Sequence, residues 1–176
     1  MKKLLFLGLL LIPMKLEAAT YYVATGGSGS TCSEASPCTM DGALTKVGSE
    51  SGHIVIVEDG TYTASTQDIN ISGKTFNPRL TIKARTDGGW IMSGYAQAIT
   101  IDGSKGIDIE GGTIKNGSSS HSIYITDSSS GSIKRFGVKN GASWGAQYAN
   151  VVELSSLDGV TGTDDYVLED VWVVGS

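Results

Sequence analysis

Cysteine, histidine and proline are all scarce in this 176-residue chain: two Cys, two His and three Pro. The two histidines, His53 and His121, lie far apart with no partner pattern around either. That excludes a histidine-based triad or metal site readable from spacing. Low proline excludes the composition of a disordered linker. Charged residues make up only 18% of the chain, and basic ones are the minority. Long apolar runs are absent after the first dozen residues.

That first run defines the N-terminus. Met1-Lys2-Lys3 is followed by apolar Leu4–Ile12, then Pro13 and the small pair Ala18-Ala19. The pattern is a secretory signal peptide at 1–19, and the run is too short to anchor in a bilayer. Its removal takes Lys2, Lys3, Lys15 and Glu17 and leaves 10 basic and 17 acidic residues, a net −7. Such a chain is expected outside the cytoplasm: secreted, periplasmic or at the cell surface. It is expected to bind neither nucleic acid nor an anionic membrane.

The two cysteines, Cys32 and Cys38, stand six apart in TCSEASPC. In an exported protein that spacing reads first as a disulfide, contributing about 2 kcal/mol by closing a short loop. A metal site is the lesser reading, since no His or further Cys stands nearby.

What is abundant is glycine, 24 residues, about twice the ordinary share. It punctuates a repeat. Ala98–Gly117 and Ser122–Gly141 align without a gap at an offset of 24, with Ile99/Ile123, Ile101/Ile125, Ser104/Ser128, Ile109/Ile133, Lys115/Lys139, Asn116/Asn140 and Gly117/Gly141 identical. Ile114 matches Val138. A looser third copy places Val152 and Leu154 on Ile99 and Ile101, Leu168-Glu169 on Ile109-Glu110, and Val173 on Ile114. Apolar residues alternate within each copy, which is the period of a strand. One such unit cannot bury its inward row alone, but stacked units can. The expected fold is therefore all-β: a single-stranded right-handed parallel β-helix over 20–176, with Asn116 stacked on Asn140. Thr39 is expected to cap a short helix carrying Met40, Ala43, Leu44 and Val47 on one face, with Gly48 ending it. That helix would cover the N-terminal end of the solenoid. Strands are expected at Thr20–Ala24, within His53–Tyr62, around Ile69 and Ile71, over Leu80–Ala84, and at Trp90–Met92. The final stretch, Val171–Ser176, ends on a strand with no polar cap, so further coils or self-assembly are expected there.

The segment TYYVATGG…SPCTMDGALTKVGSESGHIVIVEDGTYT resembles the opening of secreted right-handed parallel β-helix proteins of the pectate lyase-like superfamily. NPRLTIKA…DGGWIMSG is similar to that family's next coils. Gly52-His53 stands where the family usually has Gly-Asp. The resemblance implies a fold, and with it a polysaccharide partner and a calcium-assisted lyase. A non-catalytic surface or adhesin-type scaffold is the other expectation it carries. The Arg-rich motifs of pectate lyases and the paired Asp of polygalacturonases are missing.

Stacking the repeats places Glu110, Lys134 and Glu169 in one column and Gly111, Arg135 and Asp170 in the next. A lyase acting on a uronic-acid polymer needs a base and a cation beside the substrate carboxylate. Lys134 and Arg135 are the candidate catalytic residues, with Lys139 adding positive charge. Glu110, Glu169 and Asp170 are the candidate Ca²⁺ ligands. The competing reading of the same columns is a ladder of solvated ion pairs. Trp144 and Tyr148, in an inserted loop, are the candidate sugar-stacking residues, or else they cover that loop's own base. Trp172, flanked by Val171, Val173 and Val174, is expected to be packed inside.

Overall fold

The alternating isoleucines form the rows that the repeat demands. A computed structural model describes residues 18–49, 52–63, 65–115, 121–140, 152–155 and 165–175. In it, Ile123 lies beside Ile99 and Ile125 beside Ile101, between the parallel strands β7 (Ile99–Asp102) and β10 (Ile123–Thr126). β4 (Ile69–Ser72) flanks them on one side, placing Ile69 and Ile71 in the same rows. β12 (Val152–Ser155) flanks them on the other, with Val152 and Leu154 in register. These four strands make the smaller sheet.

The larger sheet has nine described strands, also parallel. One run passes from β1 (Thr20–Val23) through β2 (Ile54–Val57) and β5 (Thr75–Ala84) to β8 (Lys105–Glu110) and β11 (Ser132–Asn140). A second run joins β3 (Gly60–Tyr62), β6 (Trp90–Ser93) and β9 (Gly112–Lys115) to the far half of β11. β13 (Val167–Gly175) pairs along nearly all of β11. Ile133 sits between Ile109 and Leu168, and Val138 between Ile114 and Val173. The repeat register expected from sequence is thus the register of the strands. Asn116 and the side chain of Asn140 fall outside the described residues. Among the described residues the chain is all-β, with parallel sheets and one helix.

Inward residues are sealed. Ile99, Ile101, Ile107, Ile109, Ile114, Ile123, Ile125 and Ile133 are fully buried, and each such side chain contributes roughly 2 kcal/mol by leaving water. Between the rows runs a ladder of hydroxyls. Ser104 Oγ accepts the Lys74 N–H at 3.1 Å and Ser128 Oγ accepts the Ser104 N–H at 3.0 Å. Each serine in turn donates to a carbonyl, Asp102 for Ser104 and Thr126 for Ser128. Both serines are completely buried, and the ladder satisfies N–H groups that the turn leaves outside the strand pairing.

The helix, α1 (Met40–Val47), begins as expected: the Thr39 hydroxyl accepts the Gly42 N–H at 3.1 Å. Gly48 ends it at φ 59° and donates to the Leu44 carbonyl. Met40, Ala43 and Val47 are buried against β1 and β4. Cys32 and Cys38 form the disulfide. The stapled loop lies along β1, exchanging Tyr22 N–H to Cys32 O and Cys38 N–H to Tyr22 O. No helix among the described residues is long and apolar enough to cross a membrane.

Two features differ from expectation. β5 begins at Thr75 and not at Leu80, and its register against β8 shifts between those residues. Pro78, lacking an N–H, lies inside that irregular stretch, which is where a proline is tolerated in a strand. At the other end Leu154, Leu168 and Val173 continue the buried rows yet are 40%, 43% and 51% exposed, because no described strand lies beyond β12 and β13.

Three tyrosines are tied into this frame, and burial pushes each phenol up. Tyr95 rises to about 12. Tyr62 and Tyr166 are raised further, first by burial and then by nearby carboxylates, Glu58 and Asp108 respectively. The Tyr62 hydroxyl donates to the Glu58 carbonyl at 2.7 Å. A folded pKa above the unfolded one means the stabilisation is whole below the unfolded value and fades as pH rises through the folded one. The denaturation midpoint is therefore expected to hold up to about pH 10 and to fall above it. An unfolding series run alongside tyrosinate absorbance checks this. A midpoint that stays constant while all seven tyrosines ionise together would contradict it.

Candidate functional site

The candidate columns form at a bend shared by three strands. Lys134 lies between Glu110 of β8 and Glu169 of β13. The residue that follows each of these, Gly111 between β8 and β9, Arg135 within β11 and Asp170 within β13, has a left-handed backbone at φ 77°, 47° and 53° respectively. Glycine and aspartate tolerate that region; arginine does so at a cost of about 1–2 kcal/mol. Repeating the same turn in register redirects all three strands at one line.

Beyond the bend, side chains alternate again. Trp90, Gly112, Phe136 and Val171 share the inward column. Gly112 leaves the space in which the Trp90 and Phe136 rings meet edge to face, 5.8 Å apart at 90°. Thr113, Gly137 and Trp172 share the outward column. The Trp172 indole lies back over Gly137, where a β-carbon would come within 2.1 Å of its ring. Its other face is open, and the side chain is 49% exposed. The sequence expectation of a packed Trp172 is corrected here. Val171 has the inward parity, so Trp172 must point out, and only the absence of a side chain at Gly137 lets the ring lie flat.

Trp172 lines a cleft of ≈ 340 Å³ together with Asp87, Gly88, Gly112, Thr113, Arg135 and Asp170. That volume lies within the range of small-molecule sites, about 300–1,000 Å³. Arg135 is held between two carboxylates: its Nε donates to Asp87 at 2.9 Å and its Nη2 to Glu110 at 2.8 Å. Glu110 first, then Asp87, raises the guanidinium pKa. The expected pairing of Arg135 with Asp170 is not the one formed. Asp170 shares the cleft, but among the described residues its carboxylate has no ion-pair partner. Lys134 pairs with Glu169 at 3.0 Å, which raises the ammonium pKa.

These contacts define the available chemistry. A lysine or arginine acts as a general base only once it has lost its proton, and both cations are held protonated by their partners. Calcium needs six to eight oxygens around one point. Glu110 is occupied by Arg135 and Glu169 by Lys134, and a guanidinium stands between the carboxylates. Among the described residues no three His, Cys, Asp or Glu converge as a metal cluster. The donor set does not fit calcium. Trp144 and Tyr148 lie outside the described residues.

The sequence reading missed Asp87 and the open face of Trp172. Asp87 stands 48 residues before Arg135, in a turn outside the aligned copies, so no column pointed to it. Trp172 was findable: the alignment placed it over Gly137, a large aromatic on an empty position at outward parity. It also missed a partner for His121, whose Nε2 sits 2.9 Å from Glu153 and whose ring stacks on Tyr124. His53 is buried and its Nδ1 accepts the Ala19 N–H.

Comparison of the chain with protein-family models, with curated proteins and with solved structures finds no match.

Proposed function

We propose that the chain is an exported right-handed parallel β-helix of the pectate lyase-like kind, and that it binds polysaccharide in the cleft beside Trp172. The signal-like N-terminus, the disulfide and the repeat in register support export and the fold. The observation that carries the function is the indole laid flat on Gly137 with one face open to a groove. A flat aromatic beside hydrogen-bonding side chains suits the apolar face and the hydroxyl edge of a sugar ring. The protonated state of Lys134 and Arg135 favours binding over proton abstraction. A non-catalytic scaffold that displays this cleft at a surface is compatible with the same geometry.

Trp172→Ala is expected to weaken polysaccharide binding roughly tenfold, about 1.4 kcal/mol, with the fold intact by circular dichroism. Affinity electrophoresis through gels containing single polysaccharides measures it. Unchanged retardation of the variant would remove the cleft from the reading. Calcium-dependent release of unsaturated sugar ends would instead restore the lyase, and Lys134→Ala would then have to abolish it.

A further inference from the structure

We propose that the cleft selects uncharged sugar rings and rejects uronates, with Asp170 the specificity-determining residue. This rests on the polysaccharide-binding reading above and adds the charge class of the ligand. The charged groups lining the groove are Asp87, Arg135 and Asp170. Arg135, the one cation among them, already serves two carboxylates, Asp87 and Glu110. Lys134, its neighbour, is matched by Glu169. Counted together these six groups leave the cleft two negative charges in excess. Among the residues that line it, a uronate carboxylate would meet Asp170 unpaired and one cation, Arg135, that two carboxylates already share, and like charges at such range repel.

The same arrangement suits a neutral ring. An ionised carboxylate is acceptor-only and takes two hydroxyl protons at once, and charge-assisted bonds of this kind are the stronger ones. Asp170 and Trp172 are two residues apart on one strand and both line the groove. A sugar lying on the indole therefore presents its hydroxyl edge toward the carboxylate. The left-handed backbone at Asp170, φ 53°, also makes asparagine a substitution that the fold accepts.

The test is calorimetric titration of the secreted protein with hexasaccharides: cello-, xylo- and manno-oligosaccharides against oligogalacturonate. At low salt at least one neutral probe is expected to bind, with oligogalacturonate at least about tenfold weaker. Added salt should narrow that gap by screening the uronate repulsion, leaving the neutral probe unmoved. Asp170→Asn should strengthen oligogalacturonate binding and weaken the neutral probe, so the ratio falls. Oligogalacturonate binding tighter than every neutral probe, or a ratio unchanged by Asp170→Asn, would overturn the charge selection while leaving polysaccharide binding in place. Binding of no probe would overturn both.

Discussion

Trp90→Ala is expected to remove about 3–5 kcal/mol of stability, the range for deleting a large buried aromatic. Trp90 is fully buried and its ring meets Phe136 across the gap left by Gly112. Three elements converge there, β6, β9 and β11, so the cavity would lie between strands whose backbones are pinned by pairing on both sides. Such a site collapses poorly, which places the cost toward the upper end. Trp90→Phe separates shape from polarity. Among the described residues the indole Nε1 has no hydrogen-bond partner, so the smaller ring loses volume but also removes a buried donor. Its cost is expected below about 1.5 kcal/mol. Equilibrium denaturation of both variants measures the pair. Equal losses would mean that the edge-to-face contact is not what Trp90 supplies. Gly112 lines the cleft as well as this layer, so Trp90→Ala should also lower the polysaccharide affinity proposed for the cleft at temperatures where it is still folded.

Gly106→Ala is expected to destabilise by about 2–4 kcal/mol. Gly106 has φ 75°, and a β-carbon there would come within 2.2 Å of the Phe76 carbonyl oxygen. Its N–H donates to the Ser129 carbonyl at 3.1 Å, so the backbone is held from the next repeat as well. The obstructing atom belongs to main chain in the irregular start of β5 and cannot swing aside. Gly88→Ala is the control. Gly88 has φ 79° but nothing within 4 Å of its added carbon, so only the conformational strain remains, about 1–2 kcal/mol. The difference between the two melting curves isolates the close approach of backbones. If both variants melt together, the packing of β8 against β5 is looser than the 2.2 Å approach requires.

The two glycines show where reading a sequence ends. Gly106 stands near the start of β8 and Gly88 in the turn before β6, and nothing in the residues beside them shows which of the two is crowded. The distinction is made by Phe76, thirty residues earlier, and by the register that brings its carbonyl alongside. Repeats are different. Ile99, Ile123 and Val152 share a row because an apolar residue at the same phase has one place to go once the units stack. The alignment therefore yielded the strand register, and with it the columns through Lys134 and Arg135. The helix was equally legible, since Thr39 and Gly48 mark its ends by local chemistry alone.

The candidate site was legible by half. Alignment predicted that Lys134 would meet Glu169, and it does at 3.0 Å. It also placed Arg135 beside Asp170, yet the guanidinium turns to Asp87 and Glu110. A long side chain on a bend reaches across several strands, and which carboxylate it takes depends on the turn at Asp87-Gly88, outside the repeat. The fate of Trp172 was decided the same way. Its parity was written in β13, but its flat seat exists only because Gly137 lies beneath it in the neighbouring strand. The sequence alone determined the periodic part of this protein: parallel all-β structure, strand register, helix ends and the disulfide, each set by local or repeating chemistry. Tertiary structure alone decided the cleft, because its charge and its open aromatic face come from residues that no period relates.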